Sequence, residues 1–232
     1  MKTFKTISIL LAIALITFFA ACKKTNVSPV VIVASNPLVD SLVACYKFNN
    51  DFNDSTGKNI AGVSSGAVSF TTDRKGNSNG AINFGTSAKL TLSGIKINNP
   101  NSVTMAYWIK PVTSGSGLQY YIISNQFLGI AAAQSGNSFS GTVSIPATNS
   151  AFATISDNNW HHLATTYDGI QINVYLDGIL VAITSHPGTI TNTAYDYVIG
   201  YFNNSYWQGN IDELRIYKTA LTGSQIFQLY KL

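Results

Sequence analysis

The side chains that could do chemistry are few. The chain has ten acidic residues, and only one is a glutamate, Glu213, which stands beside Asp212. Hydrolysis of a glycosidic bond needs two carboxylates across that bond, one as acid and one as nucleophile or base. Neighbours on an extended strand point to opposite faces, so Asp212 and Glu213 are not expected to flank one bond. Asp54, Asp73, Asp157, Asp168 and Asp177 fall in turn-like stretches. His161 and His162 are adjacent, which on a strand sends them to opposite faces, and His186 precedes Pro187-Gly188. No metal spacing of the His-x-x-x-His kind and no Ser/His/Asp motif is present. Aromatic and amide groups are more plentiful, with 12 tyrosines and 3 tryptophans. Flat rings accept the C–H faces of a sugar, and amides bond its hydroxyls. Tyr206, Trp207, Asn203 and Asn204 form one such cluster, and Tyr120 and Tyr121 lie beside another loop. These six are the expected ligand-binding residues, Trp207 with a packing role as the competing reading and Tyr206 the freer of the pair.

The elements that must carry these residues are strands. From Asn159 to Ala182, three short runs of β-branched and aromatic residues are separated by Asp168-Gly169 and Asp177-Gly178. Each Asp-Gly pair predicts a type I′ hairpin turn, hence a three-stranded meander. Ile172, Val174 and Leu176 are then on the core face. Gln171, Asn173, Tyr175 and Asp177 are on the other. Further strands are expected at Leu42–Phe48, Gly80–Gly85, Leu90–Leu92, Val103–Lys110, Tyr120–Ser124, Tyr197–Gly200 and Gly209–Tyr217. Residues 136–150, rich in Ser, Thr and Asn, are expected to form variable loops. A closing helix is predicted by Thr222 and Gln225, a capping box. Ile226, Leu229 and Tyr230 supply its apolar face.

Composition fits an all-β domain with many turns: 46% hydrophobic, 12% aromatic and 10% charged residues, with 18 glycines. The formal charge of +4 is too small and too scattered to predict nucleic-acid binding. Cys45, in an apolar run, is expected to be a buried, inert thiol. At the N-terminus, Lys2 and Lys5 precede an apolar run from Ile7 to Phe19, an export-signal pattern. Phe19-Ala20-Ala21-Cys22 resembles the lipobox of bacterial lipoproteins, with Phe19 where leucine is usual. That resemblance implies a signal peptide over residues 1–21 and lipidation of Cys22. Residues 22–41 would form a tether holding the protein to a membrane through its lipid. The expected location is the cell envelope, on the outer membrane.

Several blocks together carry a second resemblance. Trp160-His161-His162, Tyr167-Asp168-Gly169, Tyr175-Leu176-Asp177-Gly178 and the closing Gly209-Asn210-Ile211-Asp212-Glu213-Leu214-Arg215-Ile216-Tyr217 are similar to laminin G-like domains. These belong to the concanavalin A-like lectin and glucanase superfamily. The resemblance runs over about residues 42 to 231. It implies a two-sheet antiparallel jelly-roll sandwich for residues 42–232, with a short C-terminal helix. It also implies a structural Ca²⁺ at Asp212, with Asn49, Asp51 and Asp54 as helpers. Against this stands pairing of Asp212 with an arginine, and Asx turns in the first loop. The function implied is a non-catalytic carbohydrate-binding module with a glycan partner. A glycoside hydrolase or polysaccharide lyase is the alternative, and a protein-adhesion module a third.

Overall fold

The computed structural model describes residues 35–58, 61–95, 97, 101–112, 119–124, 129–145, 147–190 and 196–232. The signal segment and Cys22 lie outside the described residues. Residues 35 to 232 form one compact unit. Ser35–Ser41, expected to be part of the tether, holds a one-turn helix, α1 (Pro37–Asp40), capped by the side chain of Asn36.

Two antiparallel sheets pack face to face. The first contains, in spatial order, β13 (Ile179–Ser185), β12 (Gln171–Leu176), β11 (His161–Tyr167), β6 (Val103–Pro111), β17 (Gly209–Tyr217), β4 (Ala81–Phe84) and β3 (Val68–Thr71). Alongside them, β1 (Leu42–Tyr46) pairs with the second half of β17. The second runs β10 (Ala147–Thr154), β9 (Ser138–Ile145), β8 (Gly129–Ser135), β7 (Gln119–Ser124), β14 (Tyr197–Ile199), β5 (Lys89–Leu92) and β2 (Gly62–Ser65). A small hairpin, β15 (Tyr201–Phe202) and β16 (Ser205–Tyr206), stands apart. This is the jelly-roll sandwich the sequence led us to expect.

The core fills the space between the sheets with alternate residues of each strand, as a period of two requires. Ile172 and Val174 of β12, Met105 and Ile109 of β6, and Phe139 and Val143 of β9 are fully buried in it. The outer face of the first sheet is not left to solvent. Helix α2 (Gly223–Lys231) lies on it, and Ile226 and Leu229 pack there with Ala106, Ala164, Tyr175 and Tyr217. The Thr222–Gln225 capping box forms as predicted. Burial on both faces explains why nearly every residue of β6 is buried, and why Tyr175, on the supposed solvent face, is covered.

Two local expectations fail for identifiable reasons. Asp177 and Gly178 have φ of +50° and +79°, as a type I′ turn needs. At the first Asp-Gly pair only Gly169 is left-handed. Asp168 instead accepts the backbone N–H groups of Ile170 and Gln171 at 2.9 and 2.8 Å, and this side-chain turn makes a three-residue link. Residues 138–145 and 147–150 are not loops but most of the β9–β10 hairpin. Their serines and threonines pair across the sheet, Thr142 with Ser150 at 2.9 Å and Ser144 with Thr148 at 3.0 Å. Inward, Phe139, Val143 and Ile145 alternate as in any buried strand. Gly141 is required between them, since a Cβ there would lie 2.2 Å from the Thr165 hydroxyl of the facing sheet.

Candidate functional site

The β15–β16 hairpin positions the aromatic cluster. Asn203 and Asn204 occupy its turn with φ of +46° and +61°, the left-handed pair that asparagine tolerates best after glycine. The turn sets Tyr201 opposite Tyr206, with ring centroids 4.8 Å apart. The Tyr201 hydroxyl donates to Asn204 Oδ1 at 3.2 Å. The Trp207 N–H then bonds the Gly200 carbonyl at 2.8 Å, which turns the chain back toward the core.

Trp207 is only 1% exposed. Its ring lies against Phe84, 5.9 Å between centroids, and its Nε1–H donates to Gln134 Oε1 at 2.6 Å. Gln134 is fixed in turn, since its Nε2 donates to the Gly136 carbonyl at 2.9 Å and that of Val112 at 3.3 Å. Gly209 lets the indole lie flat on β17, because a Cβ there would meet the Trp207 ring at 2.5 Å. Beside this anchored ring opens a cavity of about 300 Å³, lined by Val112, Tyr120, Gln134, Gly136, Tyr206, Trp207 and Gln208. Small-molecule sites commonly have this size, with aromatic walls and a few fixed polar groups.

Three of the six expected ligand-binding residues, Tyr120, Tyr206 and Trp207, therefore meet in one cavity. Asn203 and Asn204 serve the hairpin turn and are not in the lining, and Tyr121 packs on Phe202 with centroids 4.5 Å apart. Gln134 and Gln208 are residues that sequence reasoning missed. A signal for Gln134 existed: it is the one amide ending the apolar run Ile130-Ala131-Ala132-Ala133, and a buried strand keeps such a group only when it has a partner.

The carboxylates are engaged elsewhere. Asp212 is 2% exposed and bonds Arg74 Nη1 at 2.6 Å. Asp54 accepts the N–H groups of Cys45 and Thr56 at 2.9 and 3.1 Å, as well as the Thr56 hydroxyl. Asp51 accepts the Asn53 N–H at 2.8 Å, and Asn49 is exposed. A hard cation needs several oxygens converging on it. The carboxylates of Asp51 and Asp54 instead face N–H and O–H donors, and Asp212 already holds a guanidinium. As arranged, the four residues do not fit one calcium ion. Among the described residues, no three of His, Cys, Asp and Glu are grouped to hold a metal.

Asp212 and Glu213 do not point to opposite faces as expected. The register of β17 against β6 shifts between Asp212 and Arg215, and Glu213 has φ of +54°. This is a β-bulge, which inserts a residue and breaks the alternation of faces. Both carboxylates thus leave the core side, Asp212 to Arg74 and Glu213 to Arg215 at 2.5 Å. Burial pushes the Asp212 carboxyl up to about 7, although Arg74 pulls the other way.

The histidines separate as expected. His161 Nδ1 lies 2.8 Å from Asp177 and its Nε2 lies 2.9 Å from Asp157. Burial lowers its pKa, but those carboxylates outweigh burial and hold it above the ordinary value. His162, 1% exposed, sits against Trp108 and is pushed down to about 3, first by burial and then by the positive charges of Arg215 and Arg74. It stays neutral in ordinary buffers. Cys45 is a free, buried thiol, its pKa raised by burial, which fits an inert role.

A laminin G-like family model, described as concanavalin A-like lectin/glucanases superfamily, matches residues 84–227. The chain belongs to the concanavalin A-like lectin/glucanase superfamily. No curated protein sequence matches it. Among solved structures sharing the superfamily sandwich is domain 4 of an extracellular arabinanase from Geobacillus stearothermophilus, in complex with arabinotriose. It is 23% identical with a TM-score of 0.67, over 82% of this chain and 98% of that one. Another is botulinum neurotoxin type C, whose cell entry depends on interaction with two ganglioside molecules. It is 17% identical with a TM-score of 0.68, over 83% of this chain and 51% of that one. The binding domain of Paraclostridial Mosquitocidal Protein 1 is 15% identical with a TM-score of 0.71, over 83% and 52%. The chain thus spans about half the length of the toxin chains. At these identities the likeness is one of fold.

Proposed function

We propose that the protein is a non-catalytic carbohydrate-binding module whose sugar site is the cavity of Tyr120, Tyr206 and Trp207. The observation that carries this reading is the wall itself: two phenol rings and an indole, the indole fixed by Gln134, beside the amide of Gln208. Rings take the apolar face of a pyranose or furanose, and amides both donate to and accept from its hydroxyls. The arabinotriose held by the arabinanase domain and the gangliosides needed by the toxin support it, since both relatives of this fold engage glycans. Asp212 and Glu213 are each paired with an arginine, and neither is in the cavity lining.

The reading is tested on a glycan array probed with the protein, in calcium and in chelator. Binding to a neutral glycan class is expected, and it is expected to survive chelation, because Asp212 pairs with Arg74 and is not in the cavity lining. A blank array under both conditions overturns the reading in favour of protein adhesion. Edge strand β13 offers a surface for that, with Ile179, Leu180, Val181 and Ile183 exposed.

We further infer that the module is held at the cell envelope through acyl chains on Cys22, on the strength of the Phe19-Ala20-Ala21-Cys22 pattern. Cys22→Ser is expected to abolish incorporation of a labelled fatty acid. Undiminished labelling of the variant would refute the anchor. No helix among the described residues is long and apolar enough to cross a membrane.

A further inference from the structure

A second cavity, of about 430 Å³, lies on the outer side of the first sheet, where the end of α2 meets β6. Its lining includes Arg74, Lys75, Trp108, Trp160, Tyr230 and Lys231. Trp160 is half-buried in this wall.

Two features of the lining call for a ligand. The first is a pair of buried donors without acceptors. Arg74 spends Nη1 on Asp212, but its Nη2 has no hydrogen-bond partner, and neither has the indole Nε1 of Trp108. Both side chains are at least nine-tenths buried, at 8% and 9% exposure. The guanidinium lies over the Trp108 ring, 4.7 Å from its centroid, so the two donors belong to one local surface. Buried donors left unpaired cost free energy that an acceptor would recover. The second feature is charge. Lys231 joins Arg74 in the wall, Lys75 stands there with its Nζ on an oxygen of Leu232, and the one acidic side chain in the lining, Asp177, is already bonded to His161 and to the His162 N–H. The cavity therefore combines cationic side chains with two lining residues that each keep a buried donor unpaired, the combination that selects an anionic oxygen.

The space exceeds what a bare anion fills, since a water's share of liquid volume is about 30 Å³. Tyr230 is stacked on Trp108 at 5.6 Å, and Trp160 adds a third ring to the lining. We infer that this cavity is a second ligand site, for a saccharide bearing an anionic group, with that group at Arg74 and Trp108 and the sugar ring against Trp160 and Tyr230. The site stands apart from the Tyr206 cavity and does not depend on what that cavity binds.

The test uses the whole protein and three probes: tri-galacturonic acid, a sulfated galactan trisaccharide without carboxylate, and neutral galactotriose. Nitrogen-15 spectra report the indole N–H groups. At least one acidic probe is expected to bind at least tenfold more tightly than galactotriose, and which one binds distinguishes carboxylate from sulfate. The Trp108 indole resonance should shift, since its N–H gains an acceptor. That of Trp207, already bonded to Gln134, should stay. Lys75 and Lys231 are exposed, so the pair Lys75→Gln and Lys231→Gln should leave folding intact and weaken acidic-probe binding about tenfold, with the remaining affinity less sensitive to salt. Equal binding of acidic and neutral probes, no binding of either acidic probe, or a shift of Trp207 with Trp108 unmoved would each overturn the assignment.

Discussion

Trp207→Ala is expected to destabilise the protein by about 3–5 kcal/mol, the usual cost of removing a fully buried tryptophan. The ring is 1% exposed, packed on Phe84 and on the bare backbone of Gly209. Its loss also leaves the Oε1 of Gln134 buried without the indole donor. Trp207→Phe separates the two contributions. It keeps most of the packing and removes the N–H, so it is expected to cost about 1–3 kcal/mol, the penalty of one orphaned buried acceptor. Denaturant titration measures both. A loss below about 1 kcal/mol for the alanine variant would mean that the cavity wall is not anchored through Trp207, because an anchored wall cannot lose its ring so cheaply.

Arg74→Met is expected to cost about 3–5 kcal/mol at alkaline pH, because it leaves the Asp212 carboxylate buried without its cation. The loss should shrink in acid, for a reason that can be followed in sign. Burial raises the Asp212 carboxyl to about 7 in the native protein, whereas in the unfolded chain it titrates near 3.9. A group whose folded pKa is raised contributes stability that is complete below the unfolded value and is lost as pH rises through the folded one. Without the opposing pull of Arg74 the folded value moves higher still, so the variant goes on losing stability above pH 7. Urea titrations of both proteins at about pH 5 and about pH 9 compare the two regimes through the linkage relation. A penalty that is the same at both would show that proton uptake by Asp212 does not respond to the loss of Arg74.

Much of the sandwich was legible because its signals are local. Asp177-Gly178 has the positive φ pair that a type I′ turn demands, and Ile172 and Val174 alternate toward the core. Thr222 and Gln225 cap α2 by short-range bonds. What was not legible depends on partners distant in sequence. The β9–β10 hairpin looked like loop because its outer face is hydroxyl-rich, and those hydroxyls are satisfied across the strand pair. The bulge at Glu213 shows in no residue type, since glutamate seldom adopts positive φ, and so the argument from alternating faces gave the wrong side. Arg74 is 138 residues from Asp212, and no pattern in the chain announces that pair.

The candidate site followed the same division. Tyr206 and Trp207 stood out as neighbours in an amide-rich loop, and the cavity does form around them with Tyr120. Asn203 and Asn204 were chosen for their amides, but their backbone conformation is what the hairpin uses. Gln134, 73 residues from Trp207, was hidden in an alanine run. The outer-face cavity was missed because Trp108, Trp160 and Tyr230 come from three separate stretches, joined only when α2 docks on the first sheet.

The most direct test of the central claim is a titration of the intact protein with the strongest neutral glycan from the array, wild type against Tyr206→Ala. Tyr206 is part-exposed on a two-residue strand, so the variant is expected to keep its far-ultraviolet spectrum and its thermal midpoint. Loss of one stacking ring should weaken binding about tenfold, about 1.4 kcal/mol. Equal affinity in the two folded proteins would contradict the account and remove the sugar from the Tyr120, Tyr206 and Trp207 cavity.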